Sequence, residues 1–594
     1  MKTKYIFSAL LCSASLSATA QQLTKEVVID REVEPQMREV TRPDFSPKLY
    51  SAPIKTLTLR PFEYNRKGEV RRQLSLLDPA AYADTFAVSP YRGYARIGYL
   101  PTYNLGASAG YRFINSADMH LGAWLNYAGQ SYNVNPANFL DPTVSDEDKV
   151  ALSQHTFDLG VDFGHHTAYG DLTADARFTY ASVGQPMYEK DFTQDASGFA
   201  VDLGWKASTK AWPWHIGVSF DTFGFGKKTP GIDEYKLVDA RAAYTPTAVR
   251  EYVYGVNAGL AKAWGKSAVG LDLDFRFQHL TSLNCFDSRY QMVEGGPSFY
   301  ETVIDNLGDK NFNLLRFSPY YKYVGKSFNL RAGLNVDVLT GFESKTRIAP
   351  DVYVAWTPSQ QFAVWAKAEA PTQLTRVRSL YNYSPYMTSQ FAVSPTLINY
   401  DVRAGVTVGP FSNIAIQAWV GYSDADFAPV IAATDKFNYF MGQQNGALAY
   451  GANISWSYRS LLSVYATAEG AENKDNKVYY PWTDKARWDV KAGLSVNPND
   501  KLSLGVDWHF RSGRHGYMVD YTATVAGTEA FSYIEPYRRG LGIINDLGFN
   551  ASYRLTDAFT IFANIENLMC RRWQTVPGVE TARLHGLVGV GYKF

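Results

Sequence analysis

The sequence predicts an all-β protein: a transmembrane antiparallel β-barrel of about 22 strands, preceded by a short, charged, proline-rich periplasmic arm. Three observations carry this. Many short segments alternate apolar and polar residues with period two, the spacing that puts one set of side chains on each face of a strand. Aromatic residues make up 15% of the chain. The connections between alternating segments are short and long in turn. No run reaches the ~18–20 apolar residues of a membrane-spanning helix. With 58 Lys+Arg against 57 Asp+Glu, the composition offers no basic surface for nucleic acid.

Residues 1–20 read as a secretory signal: Lys2 and Lys4, an apolar stretch from Tyr5 to Leu16, then Ala18-Thr19-Ala20 as a small-residue cleavage site. Cys12 follows Leu11, where a lipoprotein signal would carry a small residue. Residues 21–90 hold 11 basic and 10 acidic residues and seven prolines. Pro35, Pro43, Pro47, Pro53 and Pro61 interrupt every candidate element, so an extended arm is expected. This arm is a possible partial plug or a segment that binds a periplasmic or outer-membrane protein partner. Beyond the signal only Cys285 and Cys570 remain, too few for a disulfide scaffold; one bridge or two free thiols are both open.

Residues 91–594 are the expected barrel. The run Leu502–Arg511 alternates strictly, with Ser503, Gly505, Asp507, His509 and Arg511 on the polar face. Val269–Gln278 does the same with Asp272, Asp274 and Arg276, Phe328–Val338 with Asn329, Arg331, Asn335 and Asp337, and Phe157–Phe163 with Asp158 and Asp162. A soluble sandwich also alternates, so strand count and connections must decide. The sequence divides into 22 such segments, beginning near Tyr91 and ending with one near Thr581. Thr556-Asp557, Asn497–Asp500, Pro358–Gln360, Gly325-Lys326, Gly265-Lys266 and Asn115–Asp118 are short connections. Between them fall long ones: 131–153, 223–251, 280–310, 370–397, 423–445, 512–542 and 568–580. Membrane barrels sort their connections in this way, with short periplasmic turns and longer external loops. Pro101–Asn104 and the brief 339–346 connection depart from the pattern.

In the last segment, Leu584, Gly586, Val588, Val590, Tyr592 and Phe594 form the expected lipid face. Arg583, His585, Gly589, Gly591 and Lys593 form the lumenal one, with Leu587 its apolar exception. The expected lumen lining is therefore Asp158, Asp162, Asp272, Asp274, Arg276, Arg331, Asp507, His509, Arg583 and Lys593. Closure satisfies every backbone group between neighbouring strands, which lipid cannot do.

The C-terminal stretch Leu547–Phe594, with Leu-Gly-Phe-Asn-Ala-Ser-Tyr-Arg-Leu-Thr, Phe559-Thr-Ile-Phe-Ala-Asn-Ile-Glu-Asn-Leu and the final Gly-Tyr-Lys-Phe, resembles the end of TonB-dependent receptor barrels. Leu77–Tyr94 is similar to the start of the barrel in receptor-like proteins of Bacteroidota. The resemblance implies residence in the bacterial outer membrane, contact with its lipid, and recognition of the terminal aromatic by the barrel-assembly machinery. The chain departs from the family before the barrel, where residues 21–90 are shorter than the family's folded plug. Lys25-Glu-Val-Val-Ile-Asp30 resembles a TonB-contacting segment only loosely. Without a full plug, energised release has no folded element to act upon within this chain.

Other chemistry is weakly supported. His165 and His166 are adjacent on a strand and point to opposite faces, so they cannot chelate one metal. Asp272 and Asp274 share a face, but a Ca²⁺ site needs further oxygen ligands. Ser503, Asp507 and His509 also share a face, yet successive same-face positions lie about 7 Å apart. That is beyond contact between a nucleophile and its base. No catalytic group, cofactor or metal is expected. The external aromatics Tyr381, Tyr383, Tyr386, Phe437, Tyr439 and Phe440 either stack on a ligand or pack loop upon loop. The function expected is passage of a solute across the outer membrane; the alternative is a non-transporting scaffold barrel in an envelope complex.

Overall fold

The computed structural model describes residues 91–594 apart from 102, 117, 135–149, 186–191, 208–211, 228–247, 282–289, 294–295, 300–308, 343–344, 390–393, 434–437, 460, 474–485, 519–520, 523–531 and 534–536. The signal and arm expected over 1–90 lie outside the described residues.

The alternating segments are strands. The first seven are β1 (Gly93–Leu100), β2 (Asn104–Asn115), β3 (Met119–Val134), β4 (Val150–Thr167), β5 (Gly170–Gly184), β6 (Thr193–Lys206) and β7 (Trp214–Phe225). Next come β8 (Arg250–Trp264), β9 (Ser267–Thr281), β10 (Lys310–Val324), β11 (Phe328–Thr340), β12 (Lys345–Ser359), β13 (Phe362–Glu369) and β14 (Thr396–Phe411). The chain then forms β15 (Ile414–Ala433), β16 (Asn438–Tyr458), β17 (Leu462–Asn473) and β18 (Trp488–Val496). It ends in β19 (Leu502–Ser512), β20 (Ile544–Arg554), β21 (Phe559–Glu566) and β22 (His585–Lys593). A short helix, α1 (Val377–Tyr383), lies between β13 and β14.

Each strand pairs antiparallel with the next, and β22 returns to β1 through Tyr94↔Lys593 to Tyr99↔Val588. The result is a closed 22-strand antiparallel barrel, as the alternation predicts. Closure leaves the wall without an edge strand. Short turns gather at the end that carries Gly93 and Phe594, where the backbone N–H groups of Arg92 and Gly93 donate to the Phe594 carbonyl, both at 2.8 Å. At that end Ser412 and Asn413, with φ of 49° and 66°, make the two-residue β14–β15 turn. Two successive left-handed residues match the twist of a tight hairpin.

Two expectations need correction. Residues 423–445 are mostly strand rather than a long connection, because β15 and β16 stay paired past Ile431↔Phe440. Both of those side chains are buried, so apolar contact carries the ladder further than a wet loop would allow. Arg583 falls outside β22, exposed in the connection two residues ahead of His585.

The two faces of the wall differ as the alternation requires. Val269 and Leu271 of β9, Val402 and Val406 of β14, and Val588 and Val590 of β22 are exposed on one face. Near the short-turn end Trp205, Trp264, Trp356, Tyr458, Tyr553 and Tyr592 continue that face as an exposed aromatic girdle. The opposite face carries the carboxylates and guanidiniums.

Candidate functional site

The polar face is the inner one, because side chains on it meet a single chain segment that touches many non-adjacent strands. Such contacts are possible only inside a closed wall. Charged residues on this face pair within a strand and between nearby strands. Arg177 donates to Asp158 at 2.8 Å, and Thr179 donates to the same oxygen at 2.8 Å. Arg331 bridges Asp351 at 2.9 Å and Asp272 at 3.4 Å, and lies over the Tyr320 ring. Arg276 pairs with Asp274 at 3.0 Å, and Asp162 sits 3.9 Å from His120. Asp507 accepts from Tyr465 and Asn550, whereas His509 meets Asp489. Asp507 and His509 thus serve separate neighbours and form no catalytic pair. Lys593 opposes Tyr94 in register at the short-turn end. Among the expected lining residues only Arg583 is off the wall. His166 pairs with Asp171, while His165 points the other way beside Phe163.

The segment that touches the wall is the β13–β14 connection. Expected outside the barrel, it runs along the inside instead. Thr372 N–H donates to Asp337 of β11 at 2.8 Å, and its carbonyl accepts from Arg316 of β10 at 2.7 Å. Gln278 of β9 donates to the Thr375 carbonyl at 2.8 Å. Arg376 then reaches Glu251 of β8 at 3.0 Å and Asp221 of β7 at 2.8 Å. Arg378 meets the other oxygen of Asp221 at 2.7 Å and stands over the Phe223 ring. Beyond β5, Gln185 donates to the Pro385 carbonyl at 3.3 Å, and Tyr386 lies beside Tyr132 of β3. The chain returns at Ser389, whose carbonyl accepts from Val249 just ahead of β8.

The second half of this strap is apolar. Leu374, Val377, Leu380, Tyr381, Tyr386 and Met387 join one buried cluster with inward residues from β3 to β16, among them Leu152, Phe223, Leu280, Phe312 and Phe440. Val576 and Val579 of the β21–β22 connection complete it. That connection is held by Tyr132, which donates to the Glu580 carbonyl at 3.1 Å, and by Arg514, which donates to the Gln574 and Thr575 carbonyls. Burial pushes the hydroxyl pKa of Tyr381 and Tyr386 upward. Burial alone would lower that of Arg376, but the facing Glu251 and Asp221 carboxylates outweigh it and raise it, so the strap keeps its charge.

The aromatic candidates are corrected accordingly. Tyr381 and Tyr386 are buried between strap and wall, and Phe440 is a buried residue of β16 rather than of a loop. Tyr383 packs edge-on against Phe440 with ring centroids 5.7 Å apart. Tyr439 belongs to β16, and Phe437 lies outside the described residues. Tyr381, Tyr386 and Phe440 are packed between strap and wall rather than offered as an open stacking platform. The sequence pattern places Asp337 on a polar face but does not single out Arg376, Arg378, Asp221, Glu251 and Arg316 as its companions in a site. The Arg376-Val377-Arg378 alternation was the one local signal, and its partners lie 125 to 157 residues away.

No protein-family model matches the chain, and no curated protein does. Solved structures match in fold. The siderophore receptor PirA from Acinetobacter baumannii aligns over 85% of this chain and 80% of its own, at 9% identity and a TM-score of 0.61. The ferripyoverdine receptor of the outer membrane of Pseudomonas aeruginosa aligns over 85% and 72%, at 10% identity and a TM-score of 0.58. The FrpB iron transporter from Neisseria meningitidis aligns over 85% and 82%, at 11% identity and a TM-score of 0.59. The chain thus has the barrel fold of these receptors and transporters. At such identities the likeness is one of fold alone.

Proposed function

We propose that this protein is an outer-membrane barrel that passes a solute through its lumen. The observation that carries the reading is the division of the closed wall: an exposed apolar outer face with an aromatic girdle, and an inner face of hydrogen-bonded charges. An apolar outside suits lipid, and paired charges inside suit a wet passage. Twenty-two strands enclose a lumen that needs a plug if it is not to stand open. Likeness in fold to siderophore receptors and an iron transporter supports transport as the class of function. Residues 21–90 act in this reading as a periplasmic arm, a reduced plug or a partner-binding segment, in a receptor-like protein of Bacteroidota type.

The inward strap favours one second reading, a scaffold barrel with a blocked lumen. Proteoliposome swelling with sugars of graded size separates the two. Swelling by the full-length protein, or by a form lacking residues 21–76, supports passage. No swelling from either form or from a strap-released variant, with envelope proteins co-purifying through the arm, overturns passage in favour of the scaffold.

A further inference from the structure

We infer that residues 372–389 form a releasable gate, latched to the inner wall by Arg376 and Arg378 on Asp221 and Glu251. The inference rests on the transport reading for its role, though not for its geometry.

The segment leaves β13, passes β11, β10, β9, β8 and β7 in turn, and reaches Tyr132 of β3 before it returns to β14. A connection that merely joined adjacent strands would need no such excursion. It occupies the inside of the mouth along this arc and brings its own apolar residues to cover it.

Two features make it a strap that lets go rather than a fixed part of the core. Its helix has seven residues, no side-chain cap at Arg376, no acidic residue in the first turn and no basic residue in the last. A helix so short does not hold its shape alone. The conformation of the strap therefore depends on its contacts with the wall, and its charged side chains Arg376 and Arg378 make theirs with Asp221 and Glu251. The docked state also carries an internal cost. The hydroxyls of Tyr381 and Ser384, Oγ1 of Thr222 and Oε1 of Gln278 are buried, with no hydrogen-bond partner among the described residues. Each of these groups would regain hydration if the strap withdrew. Strong pairing at the latch set against orphaned polar atoms around it describes a two-state element, whose balance a ligand or partner can shift by binding one state better.

The latch is tested by thiol protection, which does not require transport. With Cys285 and Cys570 replaced by Ser, Met387→Cys places a thiol at a site 1% exposed. Labelling by an impermeant polyethylene-glycol maleimide is then timed, with heat-modifiable migration as the check on barrel integrity. Arg376→Ala/Arg378→Ala should label about tenfold faster or more, as a shift of the closed equilibrium by that factor requires. Asp221→Asn, which changes only the wall, should accelerate it in the same direction. Unchanged protection in folded barrels of both variants overturns the gate. Faster labelling accompanied by new current in planar bilayers supports gate and transport together. Faster labelling without current in any form keeps the latch and overturns the transport reading.

Discussion

Arg316 grips Asp337 with two prongs: Nε lies 2.6 Å from Oδ1, and Nη2 lies 2.9 Å from Oδ2. The two residues face each other across β10 and β11, and the Asp337 side chain is 1% exposed. Asp337 also accepts the Thr372 N–H, so this pair ties the start of the strap to the wall. A bidentate guanidinium–carboxylate contact fixes geometry as well as charge.

Asp337→Ala strands Arg316 in a largely dry place and frees Thr372. Breaking a buried pair by removing one partner costs about 3 kcal/mol or more. The urea midpoint of barrel unfolding in detergent should fall accordingly. An unchanged midpoint would show that Arg316 finds solvent.

Tyr381→Phe removes a buried hydroxyl that has no partner among the described residues while keeping the ring against Phe223 and Phe225. Relief of an orphaned group is worth about 1 kcal/mol. The variant should be as stable as the parent or slightly more so. Tyr132→Phe, which loses the bond to the Glu580 carbonyl, should be less stable. Reversal of that order in parallel melts would refute the assignment.

The seam between β22 and β1 depends on Gly589. A Cβ there would stand 2.0 Å from the Ile97 carbonyl oxygen, a backbone atom that cannot step aside. Gly589→Val should therefore prevent closure and abolish the heat-modifiable band. At Gly591 the nearest atom is 3.9 Å away, so Gly591→Ala should assemble normally. Equal assembly of the two would place the seam elsewhere.

Neighbouring positions on β9 separate the faces. Leu271 is exposed on the outer face, so Leu271→Lys in a bilayer should cost about 2–4 kcal/mol near the midplane. Asp272→Asn, one residue on, leaves Arg331 its stronger partner Asp351 and should cost less than about 1 kcal/mol. Folding titrations into lipid vesicles compare them directly. A larger loss at Asp272 would invert the wall.

Much of this was written along the chain. The strands and their two faces follow from period-two alternation, as Val269–Gln278 and Phe328–Val338 illustrate, because successive strand side chains point to opposite faces whatever the partner strand is. The same rule placed Asp158, Asp272, Arg331, Asp507 and Lys593 on the inner face. It failed for Arg583, since the point at which a strand begins depends on pairing with its neighbours. It failed also at 423–445, where Ile431 and Phe440 prolong a hairpin through burial that no local pattern announces.

The sequence by itself determined that there are about 22 strands, the polarity of each face and the end at which the turns are short, because these depend on residues within one strand or one turn. Only the tertiary structure decided that Thr372–Ser389 turns inward, that Tyr381 and Tyr386 are buried, and that Arg376 and Arg378 meet Asp221 and Glu251. The Arg376 and Arg378 contacts join parts of the chain 125 to 157 residues apart. They come into being only once the wall has closed and given the strap an inside to occupy.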